Sequence, residues 1–381
     1  MPESEKGLRG VVAVDSSITS IDGVQGILRY RGYDVVDLVH NSTFEEVCHL
    51  LLHGELPGSE QLAAFKEELL AARSIPTEVE AVVDDSARYA RPMEAMRSMG
   101  SALSFSDPDK ASNEPEANQR KAVRLISQLP TVMARYRRRY YGLEPVGPDP
   151  ELDYAANFLW MLRGELPSEE DARVLDAVSI LHADHEMNAS TFAARVIAAT
   201  CTDMHSAIVG AIAALKGPLH GGANEWVMAT LKRIGSEEKV DAWVDDMLDR
   251  GKKIPGFGHA IYKEVTDPRA IVLKEIGRKV FERAEPDEPN WFAMTERMER
   301  RVFERKGLVP NVDLYSASVL YYLGFPIDLL TALFAANRVV GWAAHVIEQH
   351  LDNRIIRPTI NYTGPAPREF PVASRRAGQT A

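Results

Sequence analysis

The sequence predicts a mainly α-helical protein with a short β segment near its N-terminus. Apolar residues recur at the spacing of amphipathic helices along most of the 381 residues. The tetrapeptide Gly-Glu-Leu-Pro occurs twice, beginning at Gly54 and at Gly164. Its glycine is typical of a helix C-terminus and its proline of the start of the next helix, so each copy predicts a boundary between two helices. Strand-like runs bounded by turn residues are confined to the first part of the chain. We therefore expect about fifteen helices or more.

The β segment is predicted to be a hairpin. Val11–Val14 and Gly26–Tyr30 are rich in strand-forming residues. They flank Asp22 and Gly23, a dipeptide that favours tight turns.

Capping residues indicate where helices begin. Ser59 is the expected N-cap of a helix, and Ser168 with Asp171 three residues later resembles a capping box. The apolar stripes near these starts are Phe44, Val47, Cys48 and Leu51, then Leu62, Phe65 and Leu69, then Val174, Val178 and Leu181.

The most apolar region, from Leu314 to Ile347, predicts two buried helices and not a bilayer span, because Gly324 and Pro326 interrupt it. Residues 1–6 lack the basic and apolar parts of a signal peptide. We therefore expect a cytoplasmic protein.

The net charge of −11 argues against nucleic acid or an anionic membrane as the main partner, since both would repel the chain.

The chain has two cysteines, Cys48 and Cys201, without metal-ligand spacing. They are expected to be buried free thiols in a reducing compartment.

Three short segments place one ionisable side chain each on a turn beside a predicted helix: Gly217–Asn224 with His220, Pro255–His259, and Pro310–Asp313. Glycine and proline there allow close backbone approach to a ligand. Two imidazoles and a carboxylate suit acid/base formation of a carbon–carbon bond, with the carboxylate as base and the imidazoles steadying oxygen charge. A backbone-bonded loop His220 and an N-capping Asp313 are the simpler structural alternatives.

The strings GPLHGGANE, PGFGHAIYK with DPRA, and NVDLYSASVLYYLGFP resemble the motifs of the citrate synthase family, in the same order. The resemblance runs from Gly7 to Tyr362–Gly364. It implies a large domain of residues 1–221 and 325–381, for dimerisation and oxaloacetate binding, and a small inserted domain of residues 222–324 on the CoA side of a cleft.

The resemblance also implies roles for single residues. Asp313 would take a proton from acetyl-CoA, His220 would stabilise the enolate, and His259 would polarise and protonate the oxaloacetate carbonyl. His220 must then be a neutral donor, so its other ring nitrogen should face a backbone N–H or another donor. The residues implied to bind oxaloacetate are His185, Arg269, Arg338 and Arg357, and those implied to bind CoA are Pro255, Gly256, Phe257, Gly258 and Lys263.

Three of these residues, Arg338, Lys263 and Arg357, carry further expectations. Arg338 lies inside a strongly apolar stretch, where an unpaired charge is costly, so it should face a cavity or an anion. Lys263 fits a solvated surface lysine equally well. Arg357 is implied to reach the partner subunit's site, which makes an obligate homodimer part of the mechanism.

The sequence departs from the family pattern at two places. Ala260 stands where many bacterial relatives carry Arg, and the stretch from His259 to Arg269 is one residue longer, through Glu264–Thr266. Both departures bear on the CoA contacts and on the register of Arg269.

The resemblance predicts condensation of acetyl-CoA with oxaloacetate and hydrolysis of citryl-CoA, with no metal or redox cofactor. A 2-methylcitrate synthase using propionyl-CoA remains open, because one methylene is worth only about 1–3 kcal/mol in a pocket. A non-catalytic helical scaffold is a further alternative. A His-ligated metalloenzyme is another, but His182 and His185 lack the H-E-x-x-H spacing, and His182 is expected in the core.

Overall fold

The computed structural model describes residues 6–8, 10–283 and 289–370. Within them lie sixteen α-helices and one three-stranded sheet. The first ten helices are α1 Val35–Asn41, α2 Phe44–His53, α3 Ser59–Ala72, α4 Thr77–Ser86, α5 Pro92–Ala102, α6 Pro115–Tyr140, α7 Tyr154–Arg163, α8 Glu169–His182, α9 Ala189–Ala198 and α10 Met204–Leu215. The remaining six are α11 Ala223–Ile234, α12 Val240–Asp249, α13 Pro268–Phe281, α14 Trp291–Lys306, α15 Val312–Tyr322 and α16 Leu330–Leu351. The expectation of a mainly α fold is confirmed.

The sheet is an antiparallel meander of β1 Thr19–Asp22, β2 Ile27–Tyr30 and β3 Tyr33–Asp34. The expected second strand and the turn at Asp22 and Gly23 are confirmed, but the strand expected at Val11–Val14 is wrong. The first strand begins instead at Thr19, which pairs with Tyr30. Ile18 and Thr19 are buried in the fold, and their burial fixes the position of this strand. Val12 is 83% exposed.

Helix ends follow capping chemistry. Gly54 and Gly164 end α2 and α7 in the left-handed conformation that glycine tolerates best, as their positions in the sequence predict. Ser168 caps α8 by accepting from the Asp171 N–H. The N-cap of α3 is Gly58 and not Ser59, since the Gly58 N–H donates to the Gln61 side chain at 2.9 Å.

The core is centred on α16, which is buried along nearly its whole length and packs against α2, α6, α8, α9 and α10. Helices α11 to α15 pack largely on one another. The segment Ile327–Leu351 has the length and hydropathy of a membrane-spanning helix, but its apolar window is entirely buried inside the protein. Together with α15 it forms the predicted pair of buried helices.

Both cysteines are free, and Cys48 is buried as expected. Cys201 is exposed, which corrects that part of the expectation. It follows the end of α9 with φ of 62°, in a turn that leaves its side chain at the surface.

Candidate active site

A cleft of about 1090 Å³ brings together most of the side chains selected from the sequence. It is lined by loops that follow α8, α10 and α12, by the starts of α13 and α15, and by α16. The predicted residues on its wall are His185, His220, Pro255, Gly256, Phe257, Gly258, His259, Arg269, Asp313 and Arg338. Residues more than a hundred positions apart thus share one cavity.

His220 is held in a tight turn between α10 and α11. Gly221 is required there, because a Cβ would lie 2.8 Å from the Leu215 carbonyl oxygen. The Ser190 backbone N–H donates to His220 Nε2 at 3.2 Å. Nε2 is therefore an acceptor and Nδ1 carries the proton, as expected for a neutral donor. Burial lowers the pKa of His220 to about 4.

The Ser190 side chain adds a second layer around His220. Its Oγ lies 2.8 Å from His220 Nε2 and 2.7 Å from Asn188 Oδ1. The buried Trp342 donates its indole N–H to the same oxygen at 3.2 Å. Trp342 and Asn188 therefore fix Ser190, and through Ser190 they fix the imidazole.

His259 has the opposite ring polarity. The backbone N–H groups of Ile261 and Tyr262 face its Nδ1 at 3.0 and 3.3 Å. Nδ1 therefore accepts, and Nε2 carries the proton in the neutral ring. Burial lowers the pKa of His259 to about 4. Two neutral imidazoles thus offer N–H donors to one cleft.

The segments that carry His259 and Asp313 are tied together. Phe257 and Pro310 form an antiparallel bridge, and the Asn311 side chain donates to the Gly258 carbonyl at 3.0 Å. Gly258 adopts φ of 77°, which favours glycine at this bend.

Asp313 is the second residue of α15. Asn311, and not Asp313, is the N-cap, because Asn311 Oδ1 accepts from the Asp313 N–H at 3.0 Å. The alternative in which Asp313 serves as the cap is therefore wrong. Burial raises the pKa of the Asp313 carboxyl to about 7. Its position on the cleft wall and this raised pKa suit a general base near neutral pH.

Two buried guanidinium groups face the cleft. Arg269 pairs with Asp267 through its Nε and one terminal nitrogen, at 3.0 and 2.7 Å. Arg338 donates from Nε to the His182 carbonyl, while one of its terminal nitrogens is buried without a hydrogen-bond partner. Burial lowers the pKa of Arg338 to about 10. An anion in the cleft would complete its bonding.

His185 and His182 differ in their surroundings. His185 lies on the cleft wall, with its ring 5.2 Å from the His259 ring and its Nε2 buried without a partner. His182 is fully buried, and its ring packs 4.2 Å from that of Phe334, as expected for a core residue. Burial holds the pKa of both well below the usual value.

One group of side chains in the described residues has metal-ligand spacing. Ligand atoms of His185, His259 and Asp267 lie within 4.8 Å of one another. The Asp267 carboxylate is already bonded through both oxygens to Arg269. Burial is the main cause of the lowered pKa of His185, and the positive charges of Arg269 and Arg338 lower it further. These charges would repel a metal cation in the same way.

Arg357 and Lys263 are not brought to this cleft. Arg357 lies exposed in the extended segment after α16, and Lys263 is exposed beyond the cleft wall. Ala260 does line the cleft and is exposed there.

Three lysines on the cleft wall were not singled out from the sequence: Lys252, Lys253 and Lys306. Lys252 and Lys253 are adjacent just before the Pro-Gly segment, a pattern that could have identified them. Lys306 ends α14, far along the chain, and only the fold brings it to the cleft.

Comparison with known proteins matches this architecture. Residues 7–359 match the family described as "Citrate synthase, C-terminal domain". The chain is 44% identical to citrate synthase 2 of Bacillus subtilis over 98% of this chain and 99% of that protein. It is 40% identical to 2-methylcitrate synthase 2 of Corynebacterium glutamicum over 97% of each chain.

Among solved structures, the chain is similar to the citrate synthase of Thermoplasma acidophilum in its ternary complex with carboxymethyl coenzyme A and oxaloacetate. The TM-score is 0.92 at 34% identity, covering 98% of this chain and 100% of that one. The family profile and the full-length relatives agree with the motifs and the helical fold. The chain therefore belongs to the citrate synthase family of enzymes.

Proposed function

We propose that this enzyme condenses acetyl-CoA with oxaloacetate and hydrolyses the resulting citryl-CoA to citrate and CoA. The observation that carries the proposal is the convergence of His220, His259 and Asp313 on one cleft that also holds two buried arginines. Condensation and thioester hydrolysis need proton transfers and charge stabilisation, so the proposal uses no metal or redox cofactor.

In the first step, the Asp313 carboxylate takes a proton from the methyl carbon of acetyl-CoA. Its raised pKa makes it a stronger base than an ordinary aspartate while leaving a large ionised fraction near neutral pH. His220 donates from Nδ1 to the thioester oxygen, where negative charge develops.

In the second step, the enol(ate) carbon attacks the ketone carbon of oxaloacetate. His259 donates from Nε2 to the ketone oxygen and gives it a proton as the carbon–carbon bond forms. Arg269, Arg338 and His185 hold the substrate's carboxylates and carbonyl, a role supported by the free terminal nitrogen of Arg338 and the free Nε2 of His185. Water then hydrolyses the thioester.

CoA is proposed to lie along Pro255–Gly258, whose glycines permit close approach to the backbone. Lys252, Lys253 and Lys306 line the same cleft and supply positive charge for the CoA phosphates. Lys263 is exposed and does not line the cleft. It is therefore proposed to contact a CoA phosphate at the rim, outside the cleft.

The domain division at residues 222–324 is also a proposal. It is supported by the packing of α11 to α15 on one another and by the cleft between these helices and α16. Closure of the two domains would exclude water from the reacting carbons.

A homodimer with Arg357 in the partner subunit's site completes the proposal. The segment after α16 is extended and carries exposed apolar side chains, including Ile355, Ile360, Tyr362 and Phe370. A second subunit would cover these side chains and place Arg357 beside a carboxylate of oxaloacetate. The proposed location is the cytoplasm.

The test is product analysis with purified enzyme. Oxaloacetate and acetyl-CoA should yield one citrate per CoA released, and kcat/KM with acetyl-CoA should exceed that with propionyl-CoA. A higher kcat/KM with propionyl-CoA would assign the enzyme to 2-methylcitrate synthesis, a reading that the relative from Corynebacterium glutamicum supports. No turnover with either thioester would contradict the proposed function.

A further inference from the structure

The β1–β2 hairpin contacts two loops of the cleft, the one that carries His185 and the one that follows His259. At its base, Thr19 Oγ1 donates to Asp184 Oδ2 at 2.5 Å, and the Tyr30 hydroxyl donates to the Asp184 carbonyl at 2.8 Å. These contacts are buried, and Asp184 directly precedes His185. The base of the hairpin is thus fixed to the His185 loop.

The tip of the hairpin packs on the loop that follows His259. A Cβ on Gly23 would lie 2.6 Å from Ile261 Cγ2 and 3.0 Å from the Ile261 carbonyl oxygen. A Cβ on Gly26 would lie 3.3 Å from Val265 Cγ2. The hairpin backbone therefore approaches this loop more closely than a residue with a side chain would allow.

The tip has a defined shape of its own. Asp22 Oδ1 accepts from the backbone N–H groups of Val24 and Gln25 at 3.0 and 2.9 Å. These bonds hold the turn in one conformation, so the tip can act as a firm surface for the loop.

One residue that the tip contacts, Ile261, also helps to orient His259. Ile261 and Tyr262 supply the backbone N–H groups that face His259 Nδ1. The Tyr262 ring also lies 4.8 Å from the His259 ring and 5.8 Å from the His185 ring. A displacement of Ile261 would therefore move the donors that set the ring direction of His259.

We propose that the β1–β2 hairpin is a positioning element that holds the His259 loop against the His185 loop, and that Gly23 is the residue on which this contact depends. The catalytic consequence rests on the proposed function, in which His259 and His185 bind oxaloacetate. The contact itself does not depend on the reaction.

The test is Gly23→Ala. Gly23 lacks the left-handed φ that penalises a side chain, so alanine acts through the contact with Ile261. We expect kcat/KM for oxaloacetate to fall about 10- to 100-fold, as for a small misplacement of reacting groups. The Ile261 and Tyr262 amides should exchange with deuterium faster, while Tm stays within about 2 °C of the parent value.

Gly147→Ala is the matched control, since no atom lies within 4 Å of its added Cβ and its φ is also ordinary. It should leave kinetics and exchange unchanged. Ile261→Ala removes the Cγ2 obstacle. In the Ile261→Ala background, adding Gly23→Ala should therefore lower kcat/KM by a smaller factor than it does in the parent enzyme.

Parent-like kcat/KM and amide exchange in Gly23→Ala would overturn the proposal, as would a loss that merely follows a lowered Tm and is not rescued. An enzyme without turnover on acetyl- or propionyl-CoA would instead contradict the proposed function. In that case amide exchange at Ile261 and Tyr262 still decides whether the hairpin orders this loop.

Discussion

The Ser190 backbone N–H donates to Nε2 of His220 across 30 residues of chain. A backbone N–H group can only donate a hydrogen bond, so this contact excludes a proton on Nε2 and places it on Nδ1. The ring is thereby set as a neutral donor before any substrate arrives.

The first prediction concerns this tautomer. Nitrogen-15 NMR of the imidazole should show His220 as the Nδ1–H form at pH 7, because Ser190 blocks the other form and burial lowers the pKa to about 4. A His220→Gln sample assigns the signals. Observation of an imidazolium or an Nε2–H ring at pH 7 would contradict the arrangement.

The second prediction concerns pH. In the proposed mechanism the active form of Asp313 is the carboxylate, and burial raises the pKa of this group to about 7. Activity should therefore be present above pH 7 and fall as pH drops through that value. His220 and His259, with pKa values of about 4, stay neutral over this range. The acidic limb of kcat/KM for acetyl-CoA should thus follow one proton.

This pH limb is measured with stopped-flow release of CoA at constant ionic strength. A midpoint near the ordinary aspartate value of about 4, or a limb that follows two protons near pH 7, would count against this assignment.

The third prediction separates the lysines. Lys252→Ala and Lys306→Ala should raise KM for acetyl-CoA about 5- to 30-fold with little change in kcat, since they remove charge that is proposed to bind a part of CoA far from the reaction. Lys263→Ala is the comparison, and its effect should be smaller because this side chain lies outside the cleft wall. The reverse order of effects would return the phosphate contact to Lys263.

The fourth prediction concerns the dimer. Arg357→Ala and Asp313→Asn proteins should each be nearly inactive, but a mixed dimer would contain one site with both residues intact. After random subunit exchange, about a quarter of parental activity should return, because half the dimers are mixed and each has one complete site. Exchange demonstrated by mass spectrometry without recovered activity would place Arg357 in its own subunit's site or outside it.

Much of the fold was predictable because helical periodicity and caps such as Ser168 are local properties. The first strand was misplaced because its position depends on Thr19 bonding to Asp184, 165 residues away. Apolar character alone favoured Val11–Val14, which the fold leaves largely exposed.

The candidate site shows the same division. His220, His259 and Asp313 stand in turn-forming motifs that are visible in the sequence. The roles of Ser190 and Trp342 could not be predicted, because each acts through a contact between segments that are distant in the sequence. Lys306 likewise reaches the cleft only through the packing of α14.

The central claim is that Asp313 is the base, and Asp313→Asn tests it most directly. The change keeps the size of the side chain and the backbone N–H that Asn311 caps, so the fold should be preserved. Calorimetry should show a Kd for oxaloacetate within a few-fold of that of the parent enzyme. The steady-state kcat should fall by about three orders of magnitude or more. A kcat close to that of the parent, with binding intact, would contradict the account.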